Sequence, residues 1–254
     1  MDKVERIAII IVSYNRLDML EQCLAAIRSN TKYPYELVLV DNGSDGEIQT
    51  FIRGQEDRED VRCIFRTANN EGFARGYNAG LALVDSEHFV VLNNDTIPYE
   101  GWLSKLVGIF ADHPDAGLAS PYTNCTGADS IRCGKKGAAF TTTKTVQGDL
   151  PAICWLVSRR CYDAVREVIG ELGGGRNFFH AEFDYGFAED IVTSLIISKL
   201  GFEKYVVGGS FVFHHGAATQ SILKNVAGYS ARNKKKLEWC KSELEKMDLG
   251  KGYE

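Results

Sequence analysis

A chain of 254 residues with 44% hydrophobic and 25% charged side chains is long enough to bury a sizeable core and ordinary enough in composition to be globular. Its formal charge of −5 at pH 7 excludes a general attraction to nucleic acid or anionic lipid, so a polyanionic partner has to be met by a local patch. Seven cysteines, at 23, 63, 125, 133, 154, 161 and 240, are odd in number, scattered and mostly set in apolar segments such as "AICWLV", which reads as reduced core thiols.

The amino terminus "MDKVERIAIIIV" has an apolar run too short, and flanks too acidic, for a signal peptide. No zinc-type Cys-x-x-Cys pair occurs, and no stretch reaches the roughly 20 apolar residues that span a bilayer. A soluble cytoplasmic chain is the expectation.

"RIAIIIVSY" is a continuous β-branched run, as expected of a parallel strand covered on both faces, and Leu17, Leu20, Leu24 and Ile27 follow at helical spacing. The same unit recurs as "YELVLVDNGS" with "GEIQTFIR", "VRCIFR" with "FARGYNAGLALV", and "HFVVLNND" with "YEGWLSKLVGIFAD". Four strand-helix units predict an open, mostly parallel sheet flanked by helices. Beyond about residue 115 the regularity weakens, and Asn124 to Gly148 reads as loops and short strands forming a surface flap. "AICWLVS" predicts another strand and Arg159 to Val168 a helix. A Gly-rich stretch then leads to a helix over 188–200 with Ile191, Leu195 and Ile196 inward, and "KYVVGGSFVFHH" adds one or two strands. Gly228 to Met247 reads as a solvated helix. Residues 1–222 are thus expected to form a single α/β domain and 223–254 a C-terminal helical extension.

Three predicted strands end in polar side chains: Ser13-Tyr14-Asn15, Asp41-Asn42-Gly43-Ser44 and Asn93-Asn94-Asp95. Any one of these reads equally as a turn or helix cap. In a parallel α/β sheet, however, ligands bind outside the carboxyl ends of the strands, and three polar ends at one edge point to a site.

"IIIVSYNR", "LVLVDNGSDG", "NNEGFARGYNAG", "VVLNNDT", "FAEDIVTSLIISKLGF" and "FVFHHGAATQS", in this order, resemble the inverting glycosyltransferases of family 2, which have the Rossmann-like GT-A fold. The resemblance spans about residues 6–220 and implies a nucleotide-sugar donor, Mn²⁺ or Mg²⁺, and a glycan, lipid-linked glycan or protein as hydroxyl acceptor. It places Asp41 on the base; a carboxylate accepts from N3–H of uracil or thymine, which cytosine lacks, so UDP- or dTDP-sugars are favoured. Ser13, Tyr14 and Asn15 flank the base in this scheme, and Asn42 is a further candidate for binding the donor. Asn70, Gly72, Phe73, Arg75 and Asn78 match the family's Asn-x-Gly-Phe-Ala stretch and its helix, with Arg75 offsetting phosphate or sugar polarity.

The family's Asp-x-Asp metal motif stands here as Asn93-Asn94-Asp95, so Asp95 is the one anionic ligand and Asn93 is left for ribose or diphosphate. This asparagine-rich version resembles rhamnosyl and related deoxysugar transferases and hints at a dTDP-sugar. The spacing to Thr219 makes His214, rather than His215, the second metal ligand implied, and imidazole leans the preference toward Mn²⁺. Asp190 in "FAED" matches the catalytic base, with Glu189 as its electrostatic neighbour or as the base itself.

Lys135, Lys136 and Gly173 to Gly175 are candidate lids. Trp155, Phe178, Phe179 and Tyr185 are candidate sugar platforms, and "RNKKK" at 232–236 is a candidate peripheral membrane contact or a solvated face. A nucleotidyltransferase lacks support because "VSYNRLDM" replaces the expected Gly-rich loop, and a dinucleotide reductase because Gly-x-Gly-x-x-Gly is absent after the first strand. A non-catalytic nucleotide-sugar-binding module fits the same residues.

Overall fold

The computed structural model describes residues 6–124, 141–216 and 226–249. β1 (Ile7–Ser13), β2 (Tyr35–Asp41), β3 (Val61–Arg66) and β4 (His88–Asn93) lie parallel in the order β3-β2-β1-β4. The chain winds outward from β1 to β3 and then returns to place β4 on the other side of β1. This reversal opens a crevice at the carboxyl ends of β1 and β4, the position where open α/β sheets hold ligands.

Alternation along β1 explains the layers. Ala8 and Ile10 join Tyr77 and Leu81 of α3 (Gly72–Leu81) on one face, while Ile7, Ile9 and Ile11 join Leu20, Leu24 and Ile27 of α1 (Leu17–Asn30) on the other. The α1 face also takes α2 (Gly46–Arg53) and α4 (Trp102–Asp112) through Ile48, Ile52, Leu103 and Leu106.

The second half of the sheet is mixed. β8 (Cys154–Ser158) runs antiparallel between β4 and β6 (Ala116–Thr123), and β9 (Glu203–His214) runs parallel to β6. β5 (Thr96–Pro98) and β7 (Lys144–Thr145) pair antiparallel with β9. The expected open sheet is therefore present, with its parallel pairing concentrated in β1 to β4.

α5 (Arg159–Glu171) and α6 (Glu189–Lys199) cover the α3 face. On α6 the inward set is Val192, Ile196 and Ile197; Ile191 and Leu195 are half-buried, a one-residue rotation from the expected stripe. α7 (Val226–Lys246) is no free-standing solvated helix: Leu237, Cys240 and Leu244 are buried in the same core, spaced for one helical face. Among the described residues Cys23, Cys154, Cys161 and Cys240 are buried free thiols and Cys63 a half-buried one; Cys125 and Cys133 lie outside the described residues. No helix among the described residues is long and apolar enough to cross a membrane.

Candidate active site

The strand ends predicted to be functional converge as the topology requires. Val12 of β1 pairs with Asn93 of β4, and Asn94 Nδ2 donates to Ser13 Oγ at 3.2 Å across the switch point. Asn15 and Arg16 turn the chain with φ of 50° and 59°. Asn15 then donates its N–H to Ser44 Oγ and accepts from Asp45 N, knitting the first two strand ends together. Tyr14 is left facing a cleft of about 440 Å³, a size suited to a small ligand.

Asp41 is almost fully buried. Its Oδ1 accepts from Ser44 N at 2.9 Å, and its Oδ2 pairs with Arg66 at 2.7 Å. Asn42 uses its whole amide: Nδ2 donates to Asn70 Oδ1 and Gly72 O, and Oδ1 accepts from Glu71 N and Thr67 Oγ1. Asn42 and Asn70 thus hold the turn into α3. Gly72 has φ +82°, and a Cβ there would stand 2.9 Å from Tyr185 N, so glycine is what lets that turn meet the loop before α6. Phe73 lines the cleft beside Tyr77.

Two members of the same stretch lie elsewhere. Arg75 Nε donates to Ala181 O and its guanidinium meets Glu71, while Asn78 exchanges two hydrogen bonds with the Phe179 backbone. Both latch α3 to the segment before α6, and neither lines the cleft. Ser13, Asn15 and Asp41 likewise stand behind the cleft lining.

At the end of β4, Tyr77 OH donates to Leu92 O at 2.7 Å and to Asn93 Oδ1 at 3.2 Å, fixing the Asn93 amide at the cleft wall. The antiparallel pairing of β5 with β9 sets Thr96 opposite His214, and His215 N donates to Asp95 O. The consequence is that His214 Nε2 lies 3.1 Å from Asp95 Oδ1, both side chains lining the cleft, whereas His215 is exposed. One carboxylate oxygen and one imidazole nitrogen converging on a cavity fit a divalent ion that takes its remaining ligands from a diphosphate. Groups of three or more His, Cys, Asp or Glu placed to hold a metal by themselves do not occur among the described residues.

The acidic pair forms the start of α6 and also faces the cleft. Glu189 Oε2 accepts from Phe187 N at 2.7 Å; Asp190 Oδ1 accepts from Ile191 N at 2.9 Å and Oδ2 from Ala152 N at 3.2 Å. Burial, and then the neighbouring Asp190 charge, push the Glu189 carboxyl up to about 8. Burial raises Asp190 as well, opposed by the backbone N–H bonds it accepts. Burial of both carboxyls disfavours two adjacent charges, and Asp190, with an N–H on each oxygen, carries donors for its ionised form.

A carboxyl whose folded pKa is raised stabilises the fold below its unfolded pKa, and that contribution is lost as pH rises through the folded value. Between about pH 4.5 and 8, wild type is expected to lose stability relative to Glu189→Gln, on the order of a few kcal/mol. Urea unfolding of both proteins at pH 5 and pH 8 reads this directly; a pH-independent difference contradicts the buried protonated carboxyl.

Several sequence expectations resolve differently. Trp155, Phe178 and Phe179 are fully buried and pack on one another with ring centroids 5.0 to 6.4 Å apart, so they form core rather than a sugar platform; Tyr185 does line the cleft. Gly173 to Gly175 terminate α5, with Gly173 N donating to Gly170 O and Gly174 N to Ile169 O, away from the cleft. In "RNKKK", Arg232 pairs with Asp184 and Lys236 with Glu182, so only Lys234 and Lys235 present a free basic surface. Lys135, Lys136 and Thr219 lie outside the described residues. Asp149 and Tyr77 also line the cleft and Arg66 pairs with Asp41, although nothing in the sequence singled these three out.

A sheet with a nucleotide-sized cleft at its switch point, walled by Asp95, His214 and an acidic pair, has the GT-A architecture. A solved structure of GalNAc-T7 with UDP, GalNAc and Mn²⁺ shares this fold over 94% of the chain and 50% of its own length, with a TM-score of 0.65 and 15% identity. The family model for glycosyl transferase family 2 matches residues 8–154, and the chain belongs to that family.

Among curated relatives, hyaluronan synthase of Pasteurella multocida is 27% identical over 116 residues, 45% of this chain and 12% of that protein. Glycosyltransferase AglE of Haloferax volcanii is 26% identical over 163 residues, 57% of this chain and 53% of that protein. The chain thus spans from about an eighth to about half of the curated relatives it matches.

Proposed function

We propose that the chain transfers a sugar from a UDP- or dTDP-sugar to a hydroxyl acceptor by a single inverting displacement, with a divalent ion at Asp95 and His214. The observation that carries this reading is that one cleft is lined at once by Asp95, His214, Asn93 and the Glu189–Asp190 pair. The GalNAc-T7 structure, which holds UDP, GalNAc and Mn²⁺, supports the same class of donor and ion. A bound ion offsets the charge that gathers on the departing diphosphate.

This chain's own residues supply the rest. Asp190 accepts the proton of the acceptor hydroxyl as its oxygen bonds to the anomeric carbon and the bond from that carbon to the diphosphate breaks. Glu189, protonated, adds no second charge. Asn93, held by Tyr77, and Tyr14 contact the nucleotide half. Each Asp41 oxygen has a lone pair beyond its present partner, available to the base N3–H where the half-exposed Arg66 side chain gives way. The acceptor is a glycan, a lipid-linked glycan or a protein hydroxyl.

Thermal unfolding with Mn²⁺ and UDP, dTDP or CDP tests the donor side, since a ligand that binds only the folded state raises its stability. UDP or dTDP is expected to raise the midpoint and CDP not to. Asp41→Ala is expected to weaken UDP or dTDP binding by about 1 to 3 kcal/mol, the scale for losing a charged hydrogen bond. Equal affinity for all three nucleotides contradicts the role of Asp41, and no shift with any of them contradicts the nucleotide site.

A further inference from the structure

The backbone just ahead of the acidic pair is strained. Tyr185, Gly186, Phe187 and Ala188 have φ of 47°, 98°, 147° and 76°, four consecutive residues in left-handed territory, three of them not glycine. Non-glycine residues rarely adopt such angles and persist there only where the surroundings over-determine them. On one side the run is met by the Gly72 turn, where there is no room for a Cβ.

On the other side it is held by Asn233. This residue is 2% exposed on a helix turn where Arg232, Lys234 and Lys235 are all exposed. Its Oδ1 accepts from Asp184 N at 3.0 Å, and its Nδ2 donates to Asp184 O at 2.8 Å and Phe187 O at 3.1 Å. One side chain thus caps both ends of the strained run. The link continues to the chemistry, because Phe187 N is the donor to Glu189 Oε2 at 2.7 Å. The Tyr185 and Tyr229 rings, 4.6 Å apart, add a second contact between α7 and the same loop.

We propose that Asn233 is a positioning residue for the Glu189–Asp190 pair, and that α7 is for this reason a working part of the transferase rather than an appendage. Asn233 does not line the cleft, so it acts only through the loop it holds. The proposal rests on the transferase reading for its effect on turnover, while its effect on the loop is independent of that reading.

The test uses the full chain with Asn233→Ala, Asn233→Asp and, as a surface control, Arg232→Ala, which removes the exposed pair with Asp184 and the guanidinium over the Tyr229 ring but leaves Asn233 in place. Asn233→Asp keeps the acceptor for Asp184 N and removes both donors. Hydrogen exchange is followed by mass spectrometry at amides 184–190 and in β1 and β4. Release of UDP or dTDP from a panel of UDP- and dTDP-hexoses with Mn²⁺ is measured in parallel.

Both Asn233 variants are expected to lose protection at 184–190 but not in β1 or β4, and to lower kcat about 10- to 100-fold with donor KM unchanged, the scale for a misplaced catalytic group. Arg232→Ala is expected to match wild type. Unchanged exchange at 184–190, an equal loss in Arg232→Ala, or faster exchange with unaltered kcat each overturns the proposal. If wild type releases no nucleotide, the proposed activity is what fails. Exchange alone then decides for Asn233, protection lost in its variants upholding its hold on the loop and protection retained overturning it.

Discussion

Asp190→Asn is expected to slow transfer by roughly 10² to 10⁴, the range for loss of a general base, with donor affinity little changed. An amide cannot take a proton from the acceptor hydroxyl, while the strand ends proposed to hold the nucleotide, those of β1, β2 and β4, are untouched by the change. One consequence follows from the hydrogen bonds. Asp190 accepts one N–H on each oxygen, so an asparagine amide meets one of those donors with its own N–H₂. The variant is expected to lose about 1 to 2 kcal/mol of stability and still fold. Glu189→Gln, which replaces the carboxyl that burial pushes up, is expected to slow transfer far less. Single-turnover rates of both variants decide: a large loss in Glu189→Gln with a small one in Asp190→Asn moves the base to Glu189, and a loss under about tenfold in both removes the pair from catalysis.

Asp95→Ala is expected to abolish metal-dependent turnover. A metal stabilises developing charge by several kcal/mol, so removing its anionic ligand is a loss of about a thousandfold or more. The fold is expected to survive, because the backbone oxygen of Asp95 still accepts from His215 N and β5 still pairs with β9. His214→Ala is expected to weaken Mn²⁺ and retain some turnover at high Mn²⁺. Turnover of Asp95→Ala with unchanged Mn²⁺ dependence contradicts this site.

Much of this was legible in the residue order because burial on both faces of β1, β2 and β4 leaves unbroken apolar runs ending in polar turns. β6 was not. "AGLASPYT" is wholly buried, yet four of its eight residues are Ala, Gly or Ser; at Gly117 the reason is steric, since a Cβ there would stand 2.6 Å from the Phe202 side chain and 2.9 Å from Cys161 Sγ. Small residues and a proline in place of a β-branched run remove the sequence signal of a strand. The antiparallel insertion of β8 between β4 and β6 is a nonlocal pairing that no local pattern records.

The site was legible in its charged members and not in its scaffold. Asp95, His214, Glu189 and Asp190, each singled out by its motif, line one cleft. Asn42, Arg75 and Asn78 look the same in sequence whether they face a ligand or a backbone, and here their hydrogen bonds go to the protein. Asn233 sits in a run of cations that reads as a solvated face, and only the packing of α7 turns it inward.

The deciding measurement is the release of nucleotide diphosphate from UDP- and dTDP-sugars by wild type, with Mn²⁺ and after its removal by EDTA, beside Asp95→Ala and Asp190→Asn. Release from at least one such donor is expected, dependent on Mn²⁺ and lower by roughly 10² or more in either variant. Binding of the nucleotide without any release, or release that neither EDTA nor these substitutions diminish, would contradict the proposed transfer.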